Sequence, residues 1–193
     1  MAIEIRVKAL TEPQVVFDTS RKTQGFTSTK ESLELFEKLL IAEHSPIRNL
    51  LIQIDMLSIP YYVQVHLVRH KIGVEHFVRT QRPDAYNPVM YDRENAPQGA
   101  PINHTMVLNA QAIISISRKR LCTCAYKTTR NVWEQVKAAF LGADDPYLQI
   151  IGQYMLPECG YRRGFCPEFS PCGVWKTYWA DAEAWKAEQE KRD

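Results

Sequence analysis

The stretch HLVRHKIGVEHFVRTQRP, His66 to Pro83, gathers seven basic or imidazole side chains (His66, Arg69, His70, Lys71, His76, Arg79 and Arg82) around an apolar stripe. Just upstream, Tyr62, Val63, Val65, His66, Leu67 and His70 follow a 3.6-residue spacing, and Pro60 is tolerated in a first helical turn, so the pattern predicts a helix over about 60–71. On it, His66, Arg69 and His70 fall at i, i+3 and i+4, share one face and can converge on one ligand, while Val63 and Leu67 turn elsewhere. A guanidinium is shaped for bidentate phosphate recognition, and a histidine beside it can donate to the same anion. A solvated basic face is the plainer alternative.

Charge along the chain favours the anion. The formal net charge is only +2, yet His66–Arg130 holds ten Lys/Arg against four Asp/Glu, so the excess is concentrated in the centre and opposed by acidic flanks. A pI near 8.2 is low for a domain that binds nucleic acid over a whole face, and a small phosphorylated ligand fits better. With 193 residues, 45% of them hydrophobic, the chain can bury a sizeable core as one domain. The opening MAIEIRVKAL alternates like a strand and shows no apolar h-region, and no later run reaches membrane length, so a soluble cytoplasmic protein is expected.

Outward from the basic stretch, NLLIQIDMLSI sets Leu50, Ile52, Ile54 and Met56 against Asn49, Leu51, Gln53 and Asp55, a half-buried strand ending at Pro60. Before it, STKESLELFEKLLIAEHS predicts an amphipathic helix capped by Ser28 or Thr29, with Leu33, Phe36, Leu39 and Leu40 on one face. PQVVFDTSRKTQGFTSTK is polar and turn-forming, and predicts a loop. Downstream, four prolines make 83–103 a loop or extended cover. Helices are predicted from 104 or 107 to 122 or beyond, over 129–141 and over 146–155, the last capped by Asp144-Asp145, and a tail helix over the aromatic then charged C-terminal residues. The tryptophans, Trp133 among them, are assigned to packing.

A helix, then His44-Ser45-Pro46, an amphipathic strand and a helix ending Arg69-His70-Lys71 resembles the flavin-dependent thymidylate synthases, whose signature is RHRxxSxNxxSxRY. Further on, LNAQAIISISRKRLCTCAY is similar to that family's second motif and its phosphate-holding Leu-Arg; the resemblance spans roughly residues 30–130. It implies an α/β (α+β) fold of the thymidylate synthase-complementing type, with a central mixed or antiparallel sheet flanked by long helices. Residues 1–145 would form the family-like domain, and 146–193 a cysteine-containing helical and loop extension packed on it. The family is a homotetramer that binds FAD and dUMP between subunits, reduces the flavin with a nicotinamide cofactor (NADPH), and passes a one-carbon unit from methylenetetrahydrofolate to dUMP.

Position by position, the resemblance assigns Ser45, Arg69, His70, Lys71 and Asn109 to the flavin, and His66, Arg79 and Arg120 to the nucleotide, Arg120 to its phosphate. The chain departs from the signature at Val74, His76, Arg79 and Gln81-Arg82, and elsewhere at Ile47, Arg48, Asn49, Gln111 and Cys124; the segment between the motifs is short. A changed pyrimidine-nucleotide substrate, or a non-catalytic homologue that binds nucleotide, nucleic acid or protein, are the alternatives those departures raise.

Five cysteines suit reduced thiols or metal ligands better than a disulfide framework. Cys159, Cys166 and Cys172, spaced x6 and x5, with Cys122 or Cys124, could form a tetrahedral zinc or iron–sulfur site. The spacing matches no paired-cysteine motif, and thiols packed as small apolar groups are the plainer reading. On a helix Cys122 and Cys124 would point about 200° apart, so only one could join.

Overall fold

In chain order the structure, a computed structural model, consists of β1 (Glu4–Ala9), α1 (Gln14–Gln24), α2 (Leu33–Ile41), a 3-10 turn (Ser45–Asn49), β2 (Leu51–Pro60), α3 (Tyr61–Leu67), β3 (Val74–Val78), β4 (Pro101–Asn109), α4 (Ala110–Arg120), α5 (Lys127–Leu141), α6 (Pro146–Tyr154) and α7 (Glu158–Tyr161). It describes residues 2–25, 31–80, 94–162, 164–174 and 176–177. The strands form one antiparallel sheet in the order β1-β2-β4-β3. The expected α/β architecture is therefore present, with every strand pairing antiparallel.

Alternation makes the sheet one-sided. Ile52, Ile54, Met56 and Ile59 on β2 and Ile102, Met106 and Leu108 on β4 are buried, while Gln53, Asp55 and Thr105 occupy the other, partly exposed face, where Thr105 donates to Asp55 at 2.6 Å. The helices cover the apolar face, and one hydrophobic cluster runs from Val16 on α1 through the strands to Trp133 and Phe140 on α5 and Ile151 on α6. Trp133 is fully buried and its indole N–H donates to Ser117 Oγ (2.9 Å), which donates in turn to the Ile113 carbonyl (2.7 Å), locking α5 onto α4. Asp145 caps α6 as expected, accepting from the Tyr147 N–H at 2.8 Å.

Four expectations are corrected. The polar stretch after Pro13 is α1, because Val16, Phe17 and Ser20 fall on one helical face and bury it, and Gly25 at φ 71 closes the end. The cap of α2 is Ser32, whose Oγ accepts from the Leu35 N–H; Ser28 and Thr29 lie outside the described residues. The helix expected from 104 or 107 is strand β4 to Asn109, then α4, and residues 101–103 of the expected loop already belong to β4. The helix expected over 60–71 ends at Leu67, since a turn leads at once into β3, which the sequence pattern had not separated. Gln81, Arg82, Trp179, Trp185 and most of the expected tail helix lie outside the described residues.

α2 ends in a motif that matters for the site. The His44 N–H reaches the Leu39 carbonyl (3.0 Å) and the Glu43 N–H the Leu40 carbonyl (3.1 Å), with Glu43 in the left-handed region at φ 50. A glycine would adopt this geometry at less cost, and here it carries a carboxylate instead.

The junction of β3 and β4 is equally constrained. Gly73 has φ +70, and a Cβ built there would stand 2.5 Å from Asn109 Nδ2. The Gly73 carbonyl accepts from the Asn109 N–H at 3.1 Å, and Asn109 Oδ1 caps α4 by accepting from the Ala112 N–H at 2.9 Å. Gly73→Ala thus meets both backbone strain and a displaced cap, and is expected to cost about 2–3 kcal/mol in urea unfolding. A loss below about 0.5 kcal/mol would show that this junction does not hold the basic loop in place.

Candidate functional site

Arg120, at the last position of α4, crosses to the segment that follows α3. Its Nε donates to His70 Nε2 at 2.9 Å and its Nη2 to the His66 carbonyl at 2.6 Å. Because His70 Nε2 accepts, His70 is neutral there and carries its proton on Nδ1. Burial first, then Arg120 and His76, pull the His70 pKa down to about 4. His66 is also pulled below its ordinary value, by burial, Arg120 and Arg69 in that order, and its Nδ1 shares a 2.7 Å hydrogen bond with the buried Thr129 on α5.

The proton order continues into the sheet. His76 Nε2 donates to the His70 carbonyl at 2.7 Å, which leaves its Nδ1 as an acceptor 3.0 Å from His104 Nε2. His104, fully buried on β4, therefore donates through Nε2 and carries a bare lone pair on Nδ1, which has no hydrogen-bond partner among the described residues. Burial and His76 depress its pKa to about 4.

Charge compensation separates this cluster from the other arginines. Arg118, two residues before Arg120 and so about 200° around the helix, is forked onto Glu158 (2.7 and 2.8 Å) and donates to Glu43 (3.2 Å); the Glu158 hydrogen bond raises its pKa. Arg162 joins the same carboxylates, and both arginines lie over the Tyr161 ring. By contrast Arg120, Arg69, Lys71 and Arg79 take part in no ion pair among the described residues. Arg120 is partly buried, and burial and Arg69 lower its pKa. Two cations crowded together with no carboxylate between them form a site for an anion.

Of the residues singled out in the sequence, the structure brings His66, Arg69, His70 and Arg120 together. Arg69 and His70 do so from the turn beyond α3, not from a shared helical face. Asn109 lies at the opposite end of α4, about 16 Å along the axis from Arg120 by helical rise, where it is the cap already described. Lys71 is exposed on the connecting loop. Ser45 is exposed at the start of the 3-10 turn, whose Arg48 donates to Gln111 near Asn109; Gln111 in turn donates to Glu43 at 3.2 Å. Arg79 follows β3, its N–H on the Asn103 carbonyl, about 20 Å from Gly73 by strand rise. His76, His104, Glu43 and Glu158 were not singled out for these roles. The period-2 run Ile102, His104, Met106, Leu108 was the available signal for His104.

Cys122 and Cys124 are not on a helix, since α4 ends at Arg120, and the 200° separation does not apply: Cys124 is held above its ordinary pKa chiefly by the adjacent Cys122. Cys159 is buried on α7, and Cys166 and Cys172 lie in the segment after it.

No family model and no curated protein sequence matches the chain. Solved structures do. Thymidylate synthase X from Helicobacter pylori, solved with FAD and dUMP, superposes with a TM-score of 0.61 at 12% identity over 79% of this chain and 99% of its own. The UMP/dUMP methylase PolB from Streptomyces cacaoi, bound with 5-Br dUMP, gives a TM-score of 0.58 at 13% identity, covering 80% of this chain and 97% of its own. The likeness establishes a shared fold. No helix among the described residues is long and apolar enough to cross a membrane.

The histidine order predicts a definite acid response. Both His70 and His104 have a folded pKa of about 4 against an ordinary 6.5, so the unfolded chain takes up protons first. Their contribution to stability is complete above about pH 6.5 and is lost as pH falls toward about 4. The urea midpoint should fall over that window, and His104→Met should flatten the slope while His70 and His66 retain the remainder. An unchanged slope in the variant would contradict this proton order.

Proposed function

We propose that the chain is a flavin-dependent enzyme acting on a pyrimidine nucleotide in the manner of a thymidylate synthase. Its substrate is dUMP or a close relative, the one-carbon unit comes from methylenetetrahydrofolate, and NADPH supplies the reducing equivalents. The observation that carries this reading is the partly buried Arg120, held by neutral acceptors and crowded by Arg69, within a fold shared with two proteins solved with dUMP or a dUMP analogue.

The residues present suit a phosphorylated ligand. Arg120 has one fixed N–H on His70 and another on the His66 carbonyl, which orients the plane of the guanidinium before an anion arrives. Arg69 supplies a second charge, and His70, neutral with a proton on Nδ1, supplies a donor that adds no further positive charge. A flavin, when bound, supplies the hydride chemistry; the protein's part is to orient and charge-balance it. In this reading Ser45, Arg69, His70, Lys71 and Asn109 serve the flavin, and His66, Arg79 and Arg120 the nucleotide. Ser45, Asn109 and Arg79 lie apart from the Arg120 cluster, and in this reading other copies in a homotetramer would bring such residues to one site. Residues 1–145 would carry this function, in a cytoplasmic enzyme.

A second reading, a nucleotide-binding homologue without turnover, has one specific observation in its favour. His76 occupies a signature position, yet both its ring nitrogens are engaged, by the His70 carbonyl and by His104, and Val74 is buried in the core. Neither side chain is free to serve a nucleotide.

Visible absorbance after loading with FAD and desalting, followed by dUMP titration and a tritium-release assay at C5 of the nucleotide, distinguishes the readings. Retained flavin with turnover supports the enzyme; nucleotide binding without turnover supports the second reading; neither flavin nor nucleotide binding sinks both. Arg120→Ala should weaken nucleotide binding roughly 10- to 100-fold, while Arg6→Ala, on the exposed edge of β1, leaves it unchanged.

A further inference from the structure

Four of the five cysteines line one cavity of about 20 Å³: Cys122 from the turn after α4, Cys159 from α7, and Cys166 and Cys172 from residues 164–174. Cys124, the fifth, is exposed and does not line it. The sequence separation is large, so their convergence is a product of the tertiary fold and not of a local motif.

The segment that supplies two of them needs a fastening. Among the described residues none after Tyr161 belongs to the hydrophobic cluster or packs against it, and Phe165 and Phe169 are largely exposed. Its backbone hydrogen bonds are short-range, such as Gly164 to Cys159 (2.7 Å) and Lys176 to Gly173 (3.0 Å). It also contains two left-handed glycines, Gly164 at φ 100 and Gly173 at φ 85, the second directly after Cys172. The left-handed turn at Gly173 sets Val174 beside Cys172, both on the cavity lining. Lys119, Glu168 and the Arg118–Glu158 ion pair line the same cavity.

We propose that Cys122, Cys159, Cys166 and Cys172 form a structural zinc site that fastens the segment after α7 to the end of α4. Binding replaces four thiol protons, released to solvent, with one zinc ion from solution and moves no electrons. Among the described residues no three candidate ligands already stand in coordinating geometry, so closure takes χ1 turns of the thiols and a shift of a segment with no core residues to restrain it. A four-thiolate tetrahedral set suits zinc and leaves no open position for catalysis.

Metal analysis of the full chain after equimolar zinc and gel filtration should give one zinc per chain, and cobalt(II) in its place should show the intense visible bands of a tetrahedral thiolate site. Cys172→Ser, at an exposed position, and Cys122→Ser should abolish those bands, whereas Cys124→Ser retains them. Substoichiometric zinc, or octahedral cobalt in the unmutated chain, overturns the proposal; loss of the bands in Cys124→Ser but not in Cys122→Ser overturns the ligand assignment. FAD retention by the same variants gives a separate readout of the Arg120 site, so the two proposals fail independently.

Discussion

Arg120 donates to a neutral imidazole and to a backbone carbonyl, and that choice of uncharged acceptors governs what the basic end of the molecule can bind. An arginine forked onto a carboxylate is satisfied in both charge and geometry; Arg118, on the same helix, is that case, with Glu158 and Glu43 as partners. Arg120 is satisfied in geometry alone. Its orientation is fixed without its charge being cancelled, which is the condition an anion site has to meet before its ligand arrives.

Keeping His70 neutral is therefore the constraint on which the site rests, and the sheet contributes to it. His70 offers its carbonyl to His76, His76 offers Nδ1 to His104, and His104 is buried among Ile102, Met106 and Leu108 where an imidazolium would be costly. Gly73 and Asn109 set where this chain of histidines meets α4: the left-handed turn at Gly73 brings β3 alongside β4, and Asn109 ends the strand and starts the helix that delivers Arg120. The left-handed Glu43 performs the complementary task on the other side of α4, holding Gln111 and Arg118. Like the bare Nδ1 of His104, it is a local cost retained in a region with chemical demands.

The parts of the fold legible in the sequence were those with an uncontested period. β2 alternates cleanly, α2 shows its apolar face, and Asp145-Pro146 marks the start of α6. α1 shows no clear period in the sequence because its buried face rests on Val16, Phe17 and Ser20 amid polar residues, so tertiary contact decides it. β4 merges with the following helix in the sequence pattern because no Gly or Pro separates them; the break is Asn109, a residue whose side chain caps α4 through its own Oδ1. Within the site, the spacing of His66, Arg69 and His70 and the likeness around Arg120 led to the cluster. The pairing of His76 with His104 could not be read, since it depends on the β3–β4 register, which places His76 opposite Met106 and one step from His104. The gathering of Cys159, Cys166 and Cys172 with Cys122 or Cys124 was one of two readings the spacing allowed, and the cavity lining selects Cys122, a choice that depends on where α4 ends.

The central claim concerns a protonation state, and histidine-selective nitrogen-15 NMR of the intact chain near neutral pH reads it most directly. The account predicts His70 as the neutral Nδ1–H tautomer with a bare Nε2, His76 and His104 as Nε2–H tautomers, and a shift at His70 Nε2 when dUMP is added. An imidazolium at His70, or its Nε2–H tautomer, would contradict it, because Arg120 would then lack the neutral acceptor that orients it and leaves its charge uncompensated.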